Sequence, residues 1–296
     1  MRTDQTEWIC RTTRSYMSNA FAKKINEPLI SKLYLLDKTP NFVTVENVDD
    51  FSKVKMLKNL HFISSKPIFD QKFVIEAPEF ESFLYLEANN SQNLNRGSDL
   101  YNKVLNPMTS IESILGTNKI NHISANNTTQ KQEIVKEIEQ FAKGCGFSSR
   151  LVNIIATATD EILMNSMFDS HQDNGEQILK DVPRSLSLPL VGKDRVDVKF
   201  GFNDEYFAVS SIDYHGTLDK VKLLKYLTQI QKSKRLEDSS GCGAGIGLAT
   251  IYLQGANIVF CSKKNEKTEV IIFYKKTDSF KEFKALPKII SVNVSE

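Results

Sequence analysis

The chain reads as an α/β protein of two domains. Three observations predict this. At 296 residues it exceeds the usual length of a single domain. Short apolar strand patterns alternate with helix patterns along it. A long, mostly apolar helix pattern over 148–169 precedes a strand pattern, and four glycines crowd into 241–247 just before another helix.

Taken in order, Ile30–Leu36 and Phe42–Val45 read as strands, Asp50–Leu60 as a helix and His61–Ser65 as a strand. Glu79–Leu86 and Leu100–Leu115 look helical. Asp37 after one apolar strand and Lys66-Pro67 after another resemble features of a phosphoacceptor receiver domain. The spacing between them is too short and the acidic pair is missing. The N-terminal part is therefore expected to be a regulatory or partner-binding α/β module. Polar Asn118–Thr129 holds the boundary region, so the domains are expected at 1–116 and 117–296.

In 148–169, Leu151, Ile154, Ile155, Ala158, Ile162 and Met164 make a mostly buried helix. Asp160, Glu161, Asn165 and Asp169 are set into it. Glu161, Asn165 and Asp169 are spaced by four and share one face. Carboxylate and carboxamide groups on a buried helix need partners. A carboxamide oxygen suits Mg²⁺, whose shell is usually completed by water and substrate phosphates. The carboxylate one turn earlier can orient an attacking hydroxyl or water. The plain alternative is an ordinary polar helix face.

Tyr206–Ile212 is a strand pattern that ends in Asp213-Tyr214-His215-Gly216. Such an Asp can sit on a binding face, although simple turn chemistry also accounts for it. The run Gly241-Cys242-Gly243-Ala244-Gly245-Ile246-Gly247-Leu248 then enters a helix. Glycine lets backbone N–H groups approach an anion, and a helix N-terminus favours one. A P-loop would place Lys-Ser or Lys-Thr after the last glycine, where Leu248-Ala249 stand. A dinucleotide fingerprint would need a strand just before the glycines, where the sequence is polar. A flexible linker or helix cap is the competing reading.

The order of these motifs, closed by Lys267-Thr268-Glu269-Val270 in a final strand, resembles the GHKL ATP-binding superfamily of histidine kinases, type II topoisomerases, mismatch-repair ATPases and anti-sigma factor kinases. Asp160–Asn165 looks like its N-box, Asp213–Gly216 its first glycine box and Gly241–Gly247 its second. The resemblance covers roughly residues 118–276, and is nearest to the short bacterial anti-sigma factor serine/threonine kinases. It implies a Bergerat-type mixed sheet with helices on one face. The entry would be a strand at Asn118–Ser124 and a helix at Thr128–Gly144. The sheet would then carry Arg195–Gly201, Glu205–Asp213, Ala256–Ser262 and Lys267–Lys275.

The resemblance further implies binding of ATP and Mg²⁺, with phosphorylation of Ser or Thr on a regulatory partner protein of the anti-anti-sigma or sigma kind. Glu161 would be the general base and Asn165 the Mg²⁺ ligand. Asp213 would accept from the adenine amino group, with Gly216 in its turn and Thr268 supporting the adenine end. Gly241, Gly243, Ala244, Gly245, Ile246, Gly247 and Leu248 would shape the phosphate lid. The first glycine box departs from Asp-x-Gly-x-Gly, because His215 and Thr217 occupy its later positions. Asp169 stands where the family often has a basic residue or His. A non-catalytic nucleotide switch and a slow ATPase are the alternatives, and a homodimer is an open arrangement.

A histidine kinase would need a phosphoacceptor His in an acidic, helix-forming box. Neither His61 nor His122 has that setting. Net charge is +2 and there is no long basic tract, so no nucleic-acid role is expected. The first 115 residues balance acidic and basic side chains. Lys232, Lys234 and Arg235 form a short basic cluster, read either as a solvated loop or as an approach to phosphates. No run of 18 apolar residues and no apolar leader core is present, which fits a cytoplasmic protein that does not enter a membrane. Four scattered cysteines with no CxxC spacing suit reduced thiols and no zinc.

Overall fold

The structure is a computed structural model. It describes residues 41–44, 59–64, 66, 80–86, 91–105, 109–117, 119–173, 176–179, 182–218, 220, 223 and 246–295. The strand expected at Ile30–Leu36, most of the helix expected over Asp50–Leu60 and residues 241–245 of the expected phosphate lid lie outside these residues.

In chain order the first elements are β1 (Asn41–Thr44), β2 (Leu60–Ser64), β3 (Phe80–Tyr85), α1 (Ser91–Val104) and α2 (Ile111–Leu115). Then come β4 (Asn121–Ala125), α3 (Lys131–Gly144), α4 (Ser149–Met164), a π-helical turn (Asn165–Asp169) and the short β5 (Gln172–Asp173) and β6 (Glu176–Gln177). A 3-10 turn (Gly192–Asp194) leads to β7 (Val196–Phe202) and β8 (Tyr206–Asp213). The last elements are α5 (Ile246–Leu253), β9 (Asn257–Lys263), β10 (Lys267–Lys275), α6 (Phe280–Lys284) and β11 (Lys288–Ser295). Parallel and antiparallel pairings both occur, as a mixed α/β chain requires.

The chain divides into two compact units. One holds residues 1–106 and 285–292, the other 107–284 and 293–296. The division falls ten residues before the boundary expected from the polar stretch, and it assigns part of the C-terminal strand to the first unit.

In the first unit β1 pairs parallel with β2, and β2 parallel with β3. The segment Glu79–Leu86, expected to be helical, is strand β3. Phe80, Phe83 and Leu84 stand three and four apart, which imitates a helix face, but the strand is covered on both faces. Its pairing with β2 on one edge and with β11 over Lys288–Ser291 on the other makes it an interior strand. The helix expected over Leu100–Leu115 is two helices. Ser110 interrupts it by capping α2, its Oγ accepting from the Ser113 N–H while Ser113 Oγ accepts from the Ser110 N–H. Gly116, at φ 62°, closes α2 in the left-handed region.

In the second unit every described pairing of the main sheet is antiparallel: β4 with β7, β7 with β8, β8 with β10 and β10 with β9. Side chains alternate between faces along each strand, which separates the packing cleanly. On one face Phe200 and Phe207 meet Phe141 of α3, and Phe202 and Phe207 meet Phe147, at 5.2–6.0 Å between rings. Helix α4 packs against α3 and β8 on this same face, where Ser211 Oγ bonds Ser166 Oγ at 2.8 Å. The opposite face carries α2. There Gly201 faces Leu115 and Ile120, where a Cβ would come within 3.0 Å of both, and Lys199 Nζ pairs with Glu112 at 2.9 Å. The expectation of helices on one face is corrected here. The short α2 covers the second face at β7, because Ile111, Ile114 and Leu115 need burial of their own.

Candidate functional site

In the second unit, the strand face that carries α4 also carries Asp213, Thr268 and Ser262. Asp213 ends β8 and is buried. Its carboxylate accepts a 3.0 Å hydrogen bond from the His215 N–H and another from the Gly216 N–H. Desolvation outweighs those bonds and pushes the Asp213 carboxyl up to about 6. Gly216 is held at φ 61°, and a Cβ there would come within 2.2 Å of the Lys263 carbonyl oxygen. Both the backbone angle and the close approach therefore require glycine at this turn.

Strand register extends the site sideways. Thr268 of β10 lies opposite Asp213, and Ser262 of β9 lies opposite Thr268. The three form a row across three strands on the α4 face, each about 95% removed from solvent. Thr268 Oγ1 and Ser262 Oγ have no hydrogen-bond partner among the described residues. Buried hydroxyls are rarely left unpaired, so this row has two hydroxyls and a carboxylate with capacity for further polar partners.

Helix α4 supplies the other half. Ser148 caps its start, accepting from the Leu151 N–H, and its apolar stripe is buried as the spacing predicts. Glu161 is half-buried. Burial raises its carboxyl above the usual range, the negative charges of Asp160 and Asp169 raise it further, and Lys131 opposes them. Lys131 is itself held by Asp160. The helix then widens into the π-helical turn at Asn165–Asp169, where the Ser170 N–H reaches back five residues to the Asn165 carbonyl. Such turns recur at functional sites because they redirect side chains. Asp169 pairs with Arg184 at 2.6 Å, and that guanidinium lies over the Phe168 ring.

Gly247, in the first turn of α5, meets Glu161. A Cβ at Gly247 would stand 1.9 Å from Glu161 Oε2. This ties the helix after the glycine run to the carboxylate of α4. Gly241, Gly243, Ala244 and Gly245 lie outside the described residues, Ile246 opens α5, and Leu248 is buried in it. A separate cleft of about 400 Å³ among α4, α5 and α6, lined by Arg150, Asn153 and Phe280 among others, contains none of the expected site residues.

His61 and His122 both lie on strands, His61 buried on β2 and His122 on β4 near Asp197. The other two histidines meet. His171 follows the π-helical turn, His215 follows Asp213, and their rings stand 4.5 Å apart. Asp194 joins them from the 3-10 turn. This cluster was not legible in the sequence, because its members are more than twenty residues apart and share no local spacing.

No protein-family model matches the chain, and no curated protein sequence matches it. Among the described residues no helix is long and apolar enough to cross a membrane.

Proposed function

We propose that the second unit binds Mg-ATP on the α4 face and transfers phosphate to a Ser or Thr of a regulatory partner protein, in the manner of the anti-sigma factor kinases that the motifs resemble. The row Asp213–Thr268–Ser262, with two buried hydroxyls lacking partners among the described residues, carries this reading. A nucleobase offers a flat edge of polar atoms that such a row can satisfy. Asp213, ionised at neutral pH, would accept from the amino group, with Thr268 beside it. The Gly216 turn, packed against the Lys263 carbonyl, fixes the Asp213 carboxylate through its N–H.

Asn165 offers a carboxamide oxygen for Mg²⁺, and the glycine run offers backbone N–H groups for phosphates. Bound ATP would supply the phosphoryl group. Glu161 has the setting of a general base: half-buried, with its carboxyl raised toward neutrality by burial and two neighbouring carboxylates. Its Oε2 would take the proton from the attacking hydroxyl.

A second reading rests on the first glycine box. His215 stands where the family has glycine, and its ring packs on His171. That favours a protein that holds nucleotide as a partner-binding switch without transfer. The two readings separate at Glu161. The variant Glu161→Gln should bind a fluorescent ATP analogue as the parent does and lose about 10²–10⁴-fold in ATP turnover. Unchanged turnover would leave only the switch.

A further inference from the structure

We propose that His171, Asp194 and His215 bind a divalent transition-metal ion of the zinc type, separate from the Mg²⁺ expected at Asn165. Three independent observations lead there.

The first is distance. Asp194 Oδ1 lies 3.3 Å from His171 Nε2 and 3.2 Å from His215 Nε2. All three donor atoms fall within 4.8 Å of one another. A tetrahedral ion with bonds of about 2.0–2.1 Å separates neighbouring donor atoms by about 3.3 Å. Two edges of that tetrahedron already exist in the side chains. Two His and one carboxylate are also a recognised zinc donor set, with a fourth position left for water.

The second is the tautomer of His171. Ser170 Oγ donates its proton to the Ser166 carbonyl oxygen at 2.7 Å. Toward His171 Nδ1, 3.4 Å away, that oxygen has only lone pairs to offer. This contact suits the tautomer with the hydrogen on Nδ1, which leaves a lone pair at Nε2. Two acceptors then face each other, Nε2 and the Asp194 carboxylate. A cation between them resolves the contact, and an outer Nδ1–H bond is the usual support of a metal-ligating histidine.

The third is His215. Its Nε2 is fully buried, and no well-aligned hydrogen bond among the described residues satisfies it despite the nearby Asp194 oxygen. A buried ring nitrogen beside a carboxylate, with no aligned hydrogen bond among the described residues, has the setting of a metal ligand. The backbone holds this arrangement in place. Thr217 Oγ1 donates to the Ser170 carbonyl at 3.0 Å, which pins the turn bearing His215 to the segment bearing His171.

Full-length protein dialysed against EDTA tests the proposal by calorimetric titration with Zn²⁺ and by visible absorption with Co²⁺. One equivalent of Zn²⁺ is expected, with a Co²⁺ spectrum of low-symmetry nitrogen and oxygen coordination. His171→Gln, His215→Gln and Asp194→Asn should each weaken uptake at least about tenfold, since even outer-sphere changes cost about 10–100-fold. Asp194 sits on a partly exposed turn, so Asp194→Asn keeps the test valid if a histidine variant misfolds by circular dichroism. No uptake by the parent, equal uptake in parent and Asp194→Asn, or a thiolate-to-Co²⁺ charge-transfer band would each overturn the assignment.

Discussion

Asp213 is a carboxylate placed where folding alone would not put one. Its folded-state value of about 6 exceeds the ordinary 3.8, so between those values the native chain keeps a proton that the unfolded chain has released. Stability therefore falls as pH rises through that window, and the deficit is complete above about pH 6. Asp213→Asn removes the ionisation and keeps an oxygen for the His215 N–H. Urea unfolding should find this variant more stable than the parent at pH 8, by up to about 3 kcal/mol, with the gap closing by about pH 4. Equal stability at pH 8 would contradict this account of the burial. A stabilising change that abolishes nucleotide binding is the pattern expected of a functional residue. Gly247 gives a second test. A Cβ there would stand 1.9 Å from Glu161 Oε2, so Gly247→Ala must displace the carboxylate. Turnover should fall about 10²-fold, as for a base moved by about 1 Å. A steady-state ATPase assay showing parental turnover would mean that the position of Glu161 does not matter.

At the scale of elements, the α4 face depends on how α4 is fixed to β8. The Ser211–Ser166 bond is buried at that contact. Ser166→Ala leaves the Ser211 hydroxyl unpaired and should cost about 1–3 kcal/mol by urea unfolding. A cost near zero would mean that water replaces the bond. Helix α4 was legible in the sequence because its apolar residues repeat at helical spacing over four turns. Strand β8 was legible as an apolar run ending in a turn, whereas β7, β9 and β10 were placed by the motif resemblance. The π-helical turn was not legible. It depends on contacts made by Ser166 and Ser170 with β8 and with the segment after it, which no local pattern encodes. Strand β3 was misread because its apolar residues fit a helix spacing, and only its two neighbours make it a strand. The polar row was half legible. Asp213 and Thr268 came from motif resemblance, whereas Ser262 emerged only from strand register.

At the scale of the molecule, the division into units at residue 106 keeps α2 with the second sheet. The polar stretch after Gly116 suggested a later boundary, since composition marks exposed chain but not what a short helix packs against. A fragment beginning at Pro107 should therefore be more stable than one beginning at Asn118. Losing buried Ile111, Ile114 and Leu115 removes several kcal/mol of apolar burial, a fall in Tm on the order of 10 °C. Equal melting temperatures by circular dichroism would remove α2 from the second unit's core. The central claim, that the α4 face binds Mg-ATP, is tested most directly by isothermal titration calorimetry of the full chain with ATP, with and without Mg²⁺. The account predicts saturable heat, weaker binding without Mg²⁺, and a loss of about 1.5–3 kcal/mol for Asp213→Ala, the worth of a charge-assisted hydrogen bond. No heat at millimolar ATP, or heat indifferent to both Mg²⁺ and Asp213, would contradict it.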